Sequence, residues 1–569
     1  MSDRHSALDT ATDERFDPVT LEILWSRLIG ISEEMWTTVW RTAFSTIVAL
    51  VQDHGCELLD RDGGCLAHAP SSMPAFNLTM PNVARQVLAK YPAETMREGD
   101  VYITNDPWIC AGHLPDICVL TPIFYQGEMV GFAGTVAHAI DIGGTLHERK
   151  ATELYEEGIL IPIMKLYDAG VRNDTLVAMI AANVRNPAEV IGDIEAEITA
   201  NEVGVNRVTM LLAEYGLTDL HALSRVIEGR TENATRAAIA AIPDGTYRAT
   251  IPYDGLDTPL EIVVALTVVG DELTVDFTGT SGEVGRAGMN APLVYSKAHT
   301  CYALMCILTP NVPNNEGCFR PVTVVAPEGC ILNCRFPATV NSRTRSGWHI
   351  APAIYAALAE ALPEKVMAGC GLLQSFRTRG VERDGRAFNV PSFSGAGQGA
   401  SFGRDGMPGY IFPSTSSGMA VELFEMKAPA FIRSKRLLSD SGGAGQYRGG
   451  LGQRIVIGKL PGYEAPLPIY MHPDLMVCPP PGLLGGKDGC AARVTFNGAL
   501  QGAGSSFDRE GMMDLVEASD EIIFDLPGGG GYGDPATRAP EAIQRDLALG
   551  YVTPEGVTRD YGIDPAARG

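Results

Sequence analysis

A long apolar stretch, interrupted once by a polar turn, places the strongest constraint on how this chain can fold. Residues 117–125 and 129–137 are almost wholly apolar, and Gln126-Gly127-Glu128 lies between them. Two such runs around a short turn predict a β-hairpin. Strands that lack polar alternation are typical of a sheet covered on both faces. We therefore expect this hairpin to be buried on both sides.

The ends of the hairpin bring an acidic residue and a histidine together. If residues 126–128 form the loop, Tyr125 pairs with Met129, and the same register places Asp116 directly opposite His138. Directly opposed residues of antiparallel strands have Cβ atoms about 5 Å apart. A shift of one residue would put the two side chains on opposite faces, so this prediction depends on the length of the loop.

Three of the ten histidines, His113, His138 and His147, fall within one short window around the hairpin. His113 lies just upstream of Asp116, close enough to join it and His138. Two imidazoles and one carboxylate suit a divalent transition metal, and these donors favour Mn, Fe or Zn with open positions for water or substrate. The alternative is that the histidines are hydrogen-bonded structural residues at strand ends.

Two further acids, Asp106 and Asp141, lie close to this cluster in sequence. Carboxylates beside a metal site orient its ligands or move protons. We therefore predict that Asp106 and Asp141 are the catalytic acid–base candidates.

Other candidate sites are weaker. Arg343, Arg345 and His349 flank Trp348 and could hold an anionic group such as phosphate or bicarbonate, although a surface loop is the alternative. The glycine run at residues 528–533 lacks the Gly-Lys-Ser/Thr ending of a phosphate-binding loop, so a tight turn is predicted there. No nucleotide site of a known type is visible in the sequence.

Composition excludes several classes of partner. The formal net charge of −24 argues against nucleic acid and anionic membranes, which need a basic surface. No apolar stretch is long enough to cross a bilayer, and the polar N-terminus lacks the apolar region of a signal peptide. The twelve cysteines form no Cys-x-x-Cys motif, which predicts reduced thiols in a cytoplasmic protein.

The chain is predicted to be a multi-domain protein of mixed α and β structure. We expect a disordered tail at residues 1–16, an N-terminal α/β metal-binding domain at 17–240 and a mixed β/α domain at 241–390. A glycine-rich β domain with a C-terminal helix follows at 391–569. Helices are predicted from Asp17 onward, at 176–213 with a break near Pro187, and at 82–90, 294–308, 350–361 and 540–549. Strands are predicted at 246–251, 261–269 and 272–277.

Several longer motifs occur in a recognisable order. They include Asp17-Pro18-Val19-Thr20-Leu21-Glu22, Asn105-Asp106-Pro107, Gly112-His113-Leu114-Pro115-Asp116, Ala137-His138-Ala139-Ile140-Asp141-Ile142-Gly143-Gly144 and Tyr447-Arg448-Gly449-Gly450. Over roughly residues 17–550 the chain resembles the hydantoinase B and oxoprolinase family. That family includes N-methylhydantoinase B subunits and the metal subunits of acetone and acetophenone carboxylases.

The resemblance implies a division of labour between two subunits. A partner of the hydantoinase A type uses ATP to phosphorylate a carbonyl or enol oxygen, and the subunit resembling this chain completes hydrolysis or carboxylation at a metal. The family holds its metal with a His-x-x-Asp pair and a later histidine, which here are His113, Asp116 and His138. Many relatives carry a second histidine where this chain has Ala139, and residues 343–348 also differ, which leaves the substrate open.

The predicted function is that of the metal-binding subunit of a heteromeric, ATP-dependent hydrolase that opens a hydantoin- or lactam-like ring. ATP would be used through the partner subunit. Carboxylation of a ketone is the main alternative. A non-haem Fe(II) oxygenase is a further alternative, although those enzymes usually use His-x-Asp or His-x-Glu. The last alternative is a non-catalytic scaffold for the ATPase subunit.

Overall fold

The computed structural model describes residues 16–145, 150–381, 387–501 and 511–563. This part of the chain combines α-helices with four β-sheets, so the predicted mixed α/β class is confirmed. Apart from Phe16, the predicted disordered tail lies outside the described residues, as does His147. The boundaries predicted at residues 240 and 390 stay a prediction.

The helices follow apolar periodicity and recognisable start signals. The Asp17 carboxylate accepts hydrogen bonds from the amides of Val19 and Thr20, so it caps the first helix as predicted. The predicted break near Pro187 is also confirmed, because a new helix begins at that residue. The helices are α1 (Pro18–Thr42), α2 (Thr46–Ala49), α3 (Pro74–Asn77), α4 (Met80–Lys90), α5 (Asp174–Asn183), α6 (Pro187–Tyr215), α7 (His221–Ala240), α8 (Leu293–Leu308), α9 (Glu316–Phe319), α10 (Thr344–Gly347), α11 (Ile350–Leu358), α12 (Val421–Lys427), α13 (Pro540–Ala548) and α14 (Pro554–Tyr561).

The first sheet contains the predicted hairpin and is antiparallel throughout. Its strands are β1 (His54–Asp60), β2 (Cys65–His68), β3 (Val101–Thr104), β4 (Asp116–Tyr125), β5 (Glu128–His138), β6 (Met164–Asp168) and β7 (Val171–Arg172), in the order β2-β1-β5-β4-β3-β6-β7. Val119 and Ala133 pack with α1 and α6 on one face. Leu120 and Phe132 pack with α4 on the other face. Burial of the hairpin on both sides is therefore confirmed.

Three smaller sheets follow along the chain. The second sheet has the order β11-β10-β9-β8 and confirms the strands predicted between residues 246 and 277. Its strands are β8 (Gly245–Tyr253), β9 (Leu260–Val269), β10 (Glu272–Asp276) and β11 (Val322–Val325). The third sheet consists of β12 (Leu373–Val381), β13 (Ala387–Gly395), β16 (Leu467–His472) and β19 (Met512–Leu515), in the order β13-β12-β16-β19. The fourth sheet consists of β14 (Ala430–Leu437), β15 (Gln453–Lys459), β17 (Arg493–Phe496), β18 (Ala499–Gln501) and β20 (Glu521–Asp525), in the order β14-β15-β20-β17-β18.

The hairpin loop differs from the prediction. Tyr125 pairs with Glu128, not with Met129, so the loop has two residues, Gln126 and Gly127, instead of three. Their φ angles of 52° and 88° are typical of a type I′ turn, whose twist matches that of the strands. The pairing then shifts by one residue between Ile123 and Phe124. This β-bulge restores the predicted pairing farther along the hairpin.

Residues 528–532 of the glycine run form no turn, so the tight turn predicted there is wrong, and only Gly533, with a φ of 72°, lies in a bend. A Cβ atom on Gly528 would lie 1.8 Å from the carbonyl oxygen of Ser441, and one on Gly529 would lie 2.0 Å from that of Gln398. The Gly529 amide also donates a hydrogen bond of 2.9 Å to the Gly450 carbonyl. Neighbouring backbones therefore pack directly against this segment, which leaves no room for side chains.

One cysteine pair departs from the prediction of reduced thiols throughout. Cys110 and Cys118 form a disulfide that links the loop before His113 to β4. The two residues are only eight positions apart, but the loop folds back onto the strand, which spacing alone does not reveal. In the part of the chain that the structure describes, no helix has the length and apolar character needed to cross a membrane.

Candidate metal centre

Asp116 stands between two histidines at the open end of the hairpin. Its Oδ1 atom lies 2.7 Å from Nε2 of His113 and 3.0 Å from Nδ1 of His138. One ligand atom from each residue lies within 4.8 Å of the other two, and Asp116 is fully buried. The structure therefore brings together the three residues that the sequence singled out.

Hydrogen bonds fix the direction in which this cluster presents its donor atoms. The Nδ1–H group of His113 donates to the Asn341 carbonyl at 3.0 Å, which leaves the lone pair of Nε2 facing Asp116. Arg343 donates from Nη2 to Oδ2 of Asp116 at 2.5 Å. Because Arg343 occupies that oxygen, Oδ1 is the atom directed toward the histidines.

Arg343 is itself held from three sides. Its Nε donates to the Ala111 carbonyl at 2.6 Å, and its guanidinium carbon lies 4.5 Å from the centroid of the Tyr295 ring. Gly112 has a φ of 92°, and a Cβ there would lie 2.8 Å from Cδ of Arg343. Arg343 and His349 are 4% and 3% exposed, so the interpretation of residues 343–349 as a surface loop is wrong.

Burial and charge set the protonation of the cluster. Burial lowers the pKa of His113 to about 4, and the positive charge of Arg343 contributes to that shift. Burial alone would raise the pKa of Asp116, but the positive charge of Arg343 beside it holds that pKa well below its usual range. At neutral pH, His113 is therefore neutral and Asp116 ionised, which are the forms that bind metal.

Sequence reasoning missed Asp53, which immediately precedes β1. Its carbonyl oxygen accepts a hydrogen bond from the His138 amide at 3.0 Å. The carboxylate is 7% exposed, and its Oδ1 has no hydrogen-bond partner among the described residues. Burial raises the pKa of Asp53 to about 6, while the nearby His138 opposes that rise. A buried carboxylate with an unused oxygen beside two histidines is a further candidate oxygen ligand.

Two cavities meet at this cluster. The smaller has a volume of about 190 Å³ and the larger one of about 450 Å³, and both are lined by His113, His138, Asn341 and Arg377. One face of the third sheet forms a wall along both, because Ser375 and Arg377 are alternate residues of β12. The side chains of His113 and His138 thus border both cavities.

The predicted acid–base residues lie at different places. Asp141 lines the larger cavity, where Arg185 donates to its Oδ1 from Nη1 at 2.7 Å and to its Oδ2 from the backbone amide. Asp106 accepts a hydrogen bond from the Trp108 amide at 3.0 Å and does not line either of these two cavities. Burial raises the pKa of Asp106. A catalytic role for Asp106 or Asp141 stays a prediction.

The two other residues of the predicted anion site are separated. Arg345 lines the smaller cavity beside Asp474. His349 is not part of the wall of that cavity, and its ring stacks on Tyr253 with a centroid separation of 4.7 Å. The structure therefore does not gather Arg343, Arg345 and His349 around one open space.

The donor set is suitable for a divalent metal. With metal–ligand bonds of about 2.1 Å, neighbouring ligand atoms are about 3.0 to 3.4 Å apart. The measured separations of 2.7 Å and 3.0 Å are close to that spacing. Mixed imidazole and carboxylate ligands suit Mn, Fe or Zn. Asp53, whose Oδ1 has no partner among the described residues, lines the same cavity as both histidines.

Comparisons with known proteins cover almost the whole chain. The family model described as hydantoinase B/oxoprolinase matches residues 17–535. The chain is 31% identical to the B subunit of a putative D-/L-hydantoinase of Pseudomonas sp. (strain NS671), over 97% of this chain and 95% of that protein. It is also similar to the crystal structure of ATP-dependent caprolactamase from Pseudomonas jessenii, with a TM-score of 0.88, 27% identity and 97% of each chain covered. The nucleotide-free structure of acetone carboxylase shares the fold, with a TM-score of 0.82 at 21% identity over 96% of this chain and 79% of that one.

Proposed function

Because this chain belongs to the hydantoinase B/oxoprolinase family, as its motifs predict, we propose that it is the metal-binding subunit of an ATP-dependent enzyme that opens a cyclic amide. The observation that carries the proposal is the buried cluster of His113, Asp116 and His138 at the junction of two cavities. The similarity to an ATP-dependent caprolactamase along the full chain supports it.

His113, Asp116, His138 and Asp53 are the residues that would hold the metal. A divalent ion at this place supplies Lewis-acid chemistry, since it polarises a carbonyl or phosphoryl oxygen and lowers the pKa of water. Asn341 fixes the tautomer of His113, and the Arg343 guanidinium orients and stabilises the Asp116 carboxylate.

The need for ATP follows from the stability of the amide. Phosphoryl transfer to the ring carbonyl oxygen makes its carbon more electrophilic. Water then adds to that carbon, the ring C–N bond breaks, and the nitrogen leaves with a proton. The resulting acyl phosphate is hydrolysed to the acid and inorganic phosphate. Since the chain lacks a phosphate-binding loop sequence, the first step belongs to a partner of the hydantoinase A type.

Ring hydrolysis is preferred over ketone carboxylation because the chain is more similar to the caprolactamase than to acetone carboxylase, at 27% against 21% sequence identity.

The test is to co-express the chain with a hydantoinase A-type ATPase subunit and to assay the purified complex on hydantoins and lactams. Turnover should require ATP, proceed without bicarbonate and incorporate ¹⁸O from labelled water into the acid. The isolated chain should not bind ATP tightly in calorimetry. Activity that depends on bicarbonate and fixes labelled carbon would replace the proposal with carboxylation. Tight ATP binding to the isolated chain would refute the division of labour.

A further inference from the structure

Building on the proposed function, we propose that Arg345 and Asp474 recognise a second amide edge of the ring substrate. The enzyme would then prefer rings with two amide groups, such as cyclic ureides and imides, over simple lactams. Both side chains line the smaller cavity together with His113 and His138, so a ring bound there shares one space with the pair and with the metal centre.

The first observation is that this pair has unused hydrogen-bonding capacity. Nη2 of Arg345 and Oδ1 of Asp474 are 4.0 Å apart, which is longer than a hydrogen bond. Nε of Arg345 has no hydrogen-bond partner among the described residues. Oδ2 of Asp474 lies 3.8 Å from Nε2 of His349, also beyond hydrogen-bond distance. A purely structural buried ion pair would be expected to close these gaps.

The second observation concerns how the two residues are placed. The Asp474 amide donates to Oε1 of Gln374 at 2.9 Å, and Oδ1 of Asp474 accepts from the Leu475 amide at 2.9 Å, so the Asp474 carboxylate is fixed. Arg345 belongs to α10, two residues after Arg343, which binds Asp116. The backbone of α10 therefore ties the position of Arg345 to that of the metal centre.

The third observation is chemical complementarity. A ring amide is cis, so its N–H and C=O groups lie side by side on one edge. Asp474 supplies an acceptor for the N–H group, and Arg345 supplies donors for the C=O group. A ligand that is only an anion would be repelled by Asp474, and one that is only a cation would be repelled by Arg345. A neutral group that both donates and accepts satisfies the two together.

The size and walls of the cavity agree with a small ring. Its volume of about 190 Å³ corresponds to about six water molecules at about 30 Å³ each. Phe76, Trp348 and Phe393 also line it and offer apolar surface to the faces of a planar ring. Because the cluster histidines and the Arg345–Asp474 pair line one cavity, a hydantoin with one amide at the metal centre has its second amide in the same space as the pair.

Binding to the full-length, metal-loaded chain tests this inference independently of turnover. Hydantoin and 2-pyrrolidinone are the probes, since both are five-membered rings but only hydantoin has a second amide. Hydantoin should bind at least about tenfold more tightly, as expected when a site built for hydrogen bonds rejects a ligand that lacks them. Asp474→Asn and Arg345→Gln should each remove most of that preference and change the affinity for 2-pyrrolidinone by less than about twofold.

A control variant and an assay of the complex distinguish failure of this inference from failure of the proposed function. Asp525→Asn weakens the Arg454–Asp525 ion pair in the fourth sheet and should keep the preference for hydantoin. Equal binding of both probes by the unaltered chain, or equal losses for both in the variants, would overturn the inference. If Asp474→Asn does not fold, the binding preference of the Arg345→Gln variant alone tests the inference. A complex that opens no ring at all would instead refute the proposed function, even where the binding preference is present.

Discussion

Asp116 and His138 lie directly opposite each other although the turn between their strands is one residue shorter than that pairing requires. The two-residue turn sets Phe124 against Met129, and the β-bulge after Ile123 then shifts the partner strand by one position. Val130 is the extra residue of that bulge, since Ile123 pairs with Gly131. The bulge leaves Val130 unpaired, and the pairing of Asp116 with His138 is thereby kept.

Deletion of Val130 should leave the metal centre in place. Without the bulge residue, the two-residue turn continues into a regular ladder in which Ile123 still pairs with Gly131 and Asp116 still pairs with His138. We expect the purified chain to keep its bound metal, measured by mass spectrometry. His138→Ala is the contrasting variant, which removes a ligand and should lose most of the metal. Loss of most of the metal on deletion of Val130 would contradict this account.

Arg343→Lys should weaken metal binding without removing a ligand. Arg343 bonds to Asp116 and to the Ala111 carbonyl at the same time, and a lysine ammonium cannot reproduce that planar arrangement. Loss of such an orienting contact typically lowers metal affinity by about 10- to 100-fold. Competition with a chelator measures the affinity. Arg236→Lys, which changes an ion pair with Glu232 on α7, is the control and should have no effect. Equal affinities for both variants would refute a positioning role for Arg343.

Gly529→Ala should destabilise the glycine-rich region severely. The new Cβ would lie 2.0 Å from the carbonyl oxygen of Gln398, and main-chain atoms cannot move aside as a flexible side chain can. We expect a large fall in the melting temperature or failure to fold, measured by calorimetry. Gly285→Ala is the matched control, because its Cβ would meet nothing within 4 Å. A melting temperature within a few degrees of the unaltered chain would show that the backbones are not packed this closely.

Local patterns predicted the parts of the site that one hairpin contains. Asp116 and His138 lie at the ends of two apolar runs around one short turn, so these runs and the turn were enough to bring them together. The assumed loop of three residues was wrong, and the bulge compensated for the error. A bulge inside a uniformly apolar strand leaves no polar mark, so the sequence could not reveal it.

Long-range contacts were not predictable in the same way. Asp53 reaches the cluster because β1 pairs with β5, and Arg343 reaches it from a segment more than two hundred residues away. No local pattern of apolar and polar residues marks either Asp53 or Arg343 as a neighbour of the cluster. The sequence did single out residues 343–349 as basic and aromatic, but not their burial. The glycine run was interpreted as a turn because glycine also permits positive φ, whereas here close packing of backbones requires it.

The stability of the chain should fall on acidification partly because of His299, which lines the smaller cavity. Burial lowers the pKa of His299 to about 3, and the charge of Arg343 adds to that shift. Below the ordinary histidine pKa of about 6.5, the unfolded chain takes up a proton that the folded chain does not. His299 therefore makes the free energy of unfolding decrease as the pH falls from about 6.5 toward 3. His299 should make the free energy of unfolding about 2 kcal/mol lower at pH 5 than at pH 7.5.

His299→Phe and His299→Asn remove that proton uptake while changing the packing in different ways. Nε2 of His299 has no hydrogen-bond partner within the described part of the chain, so neither change breaks a bond at that atom. Urea unfolding at pH 7.5 and pH 5 should give both variants a pH dependence smaller than that of the unaltered chain by about 2 kcal/mol. Their absolute stabilities can differ, because a phenyl ring and an amide fill the space differently. If both variants lose as much stability on acidification as the unaltered chain does, His299 takes up a proton in the folded state and burial does not keep it neutral.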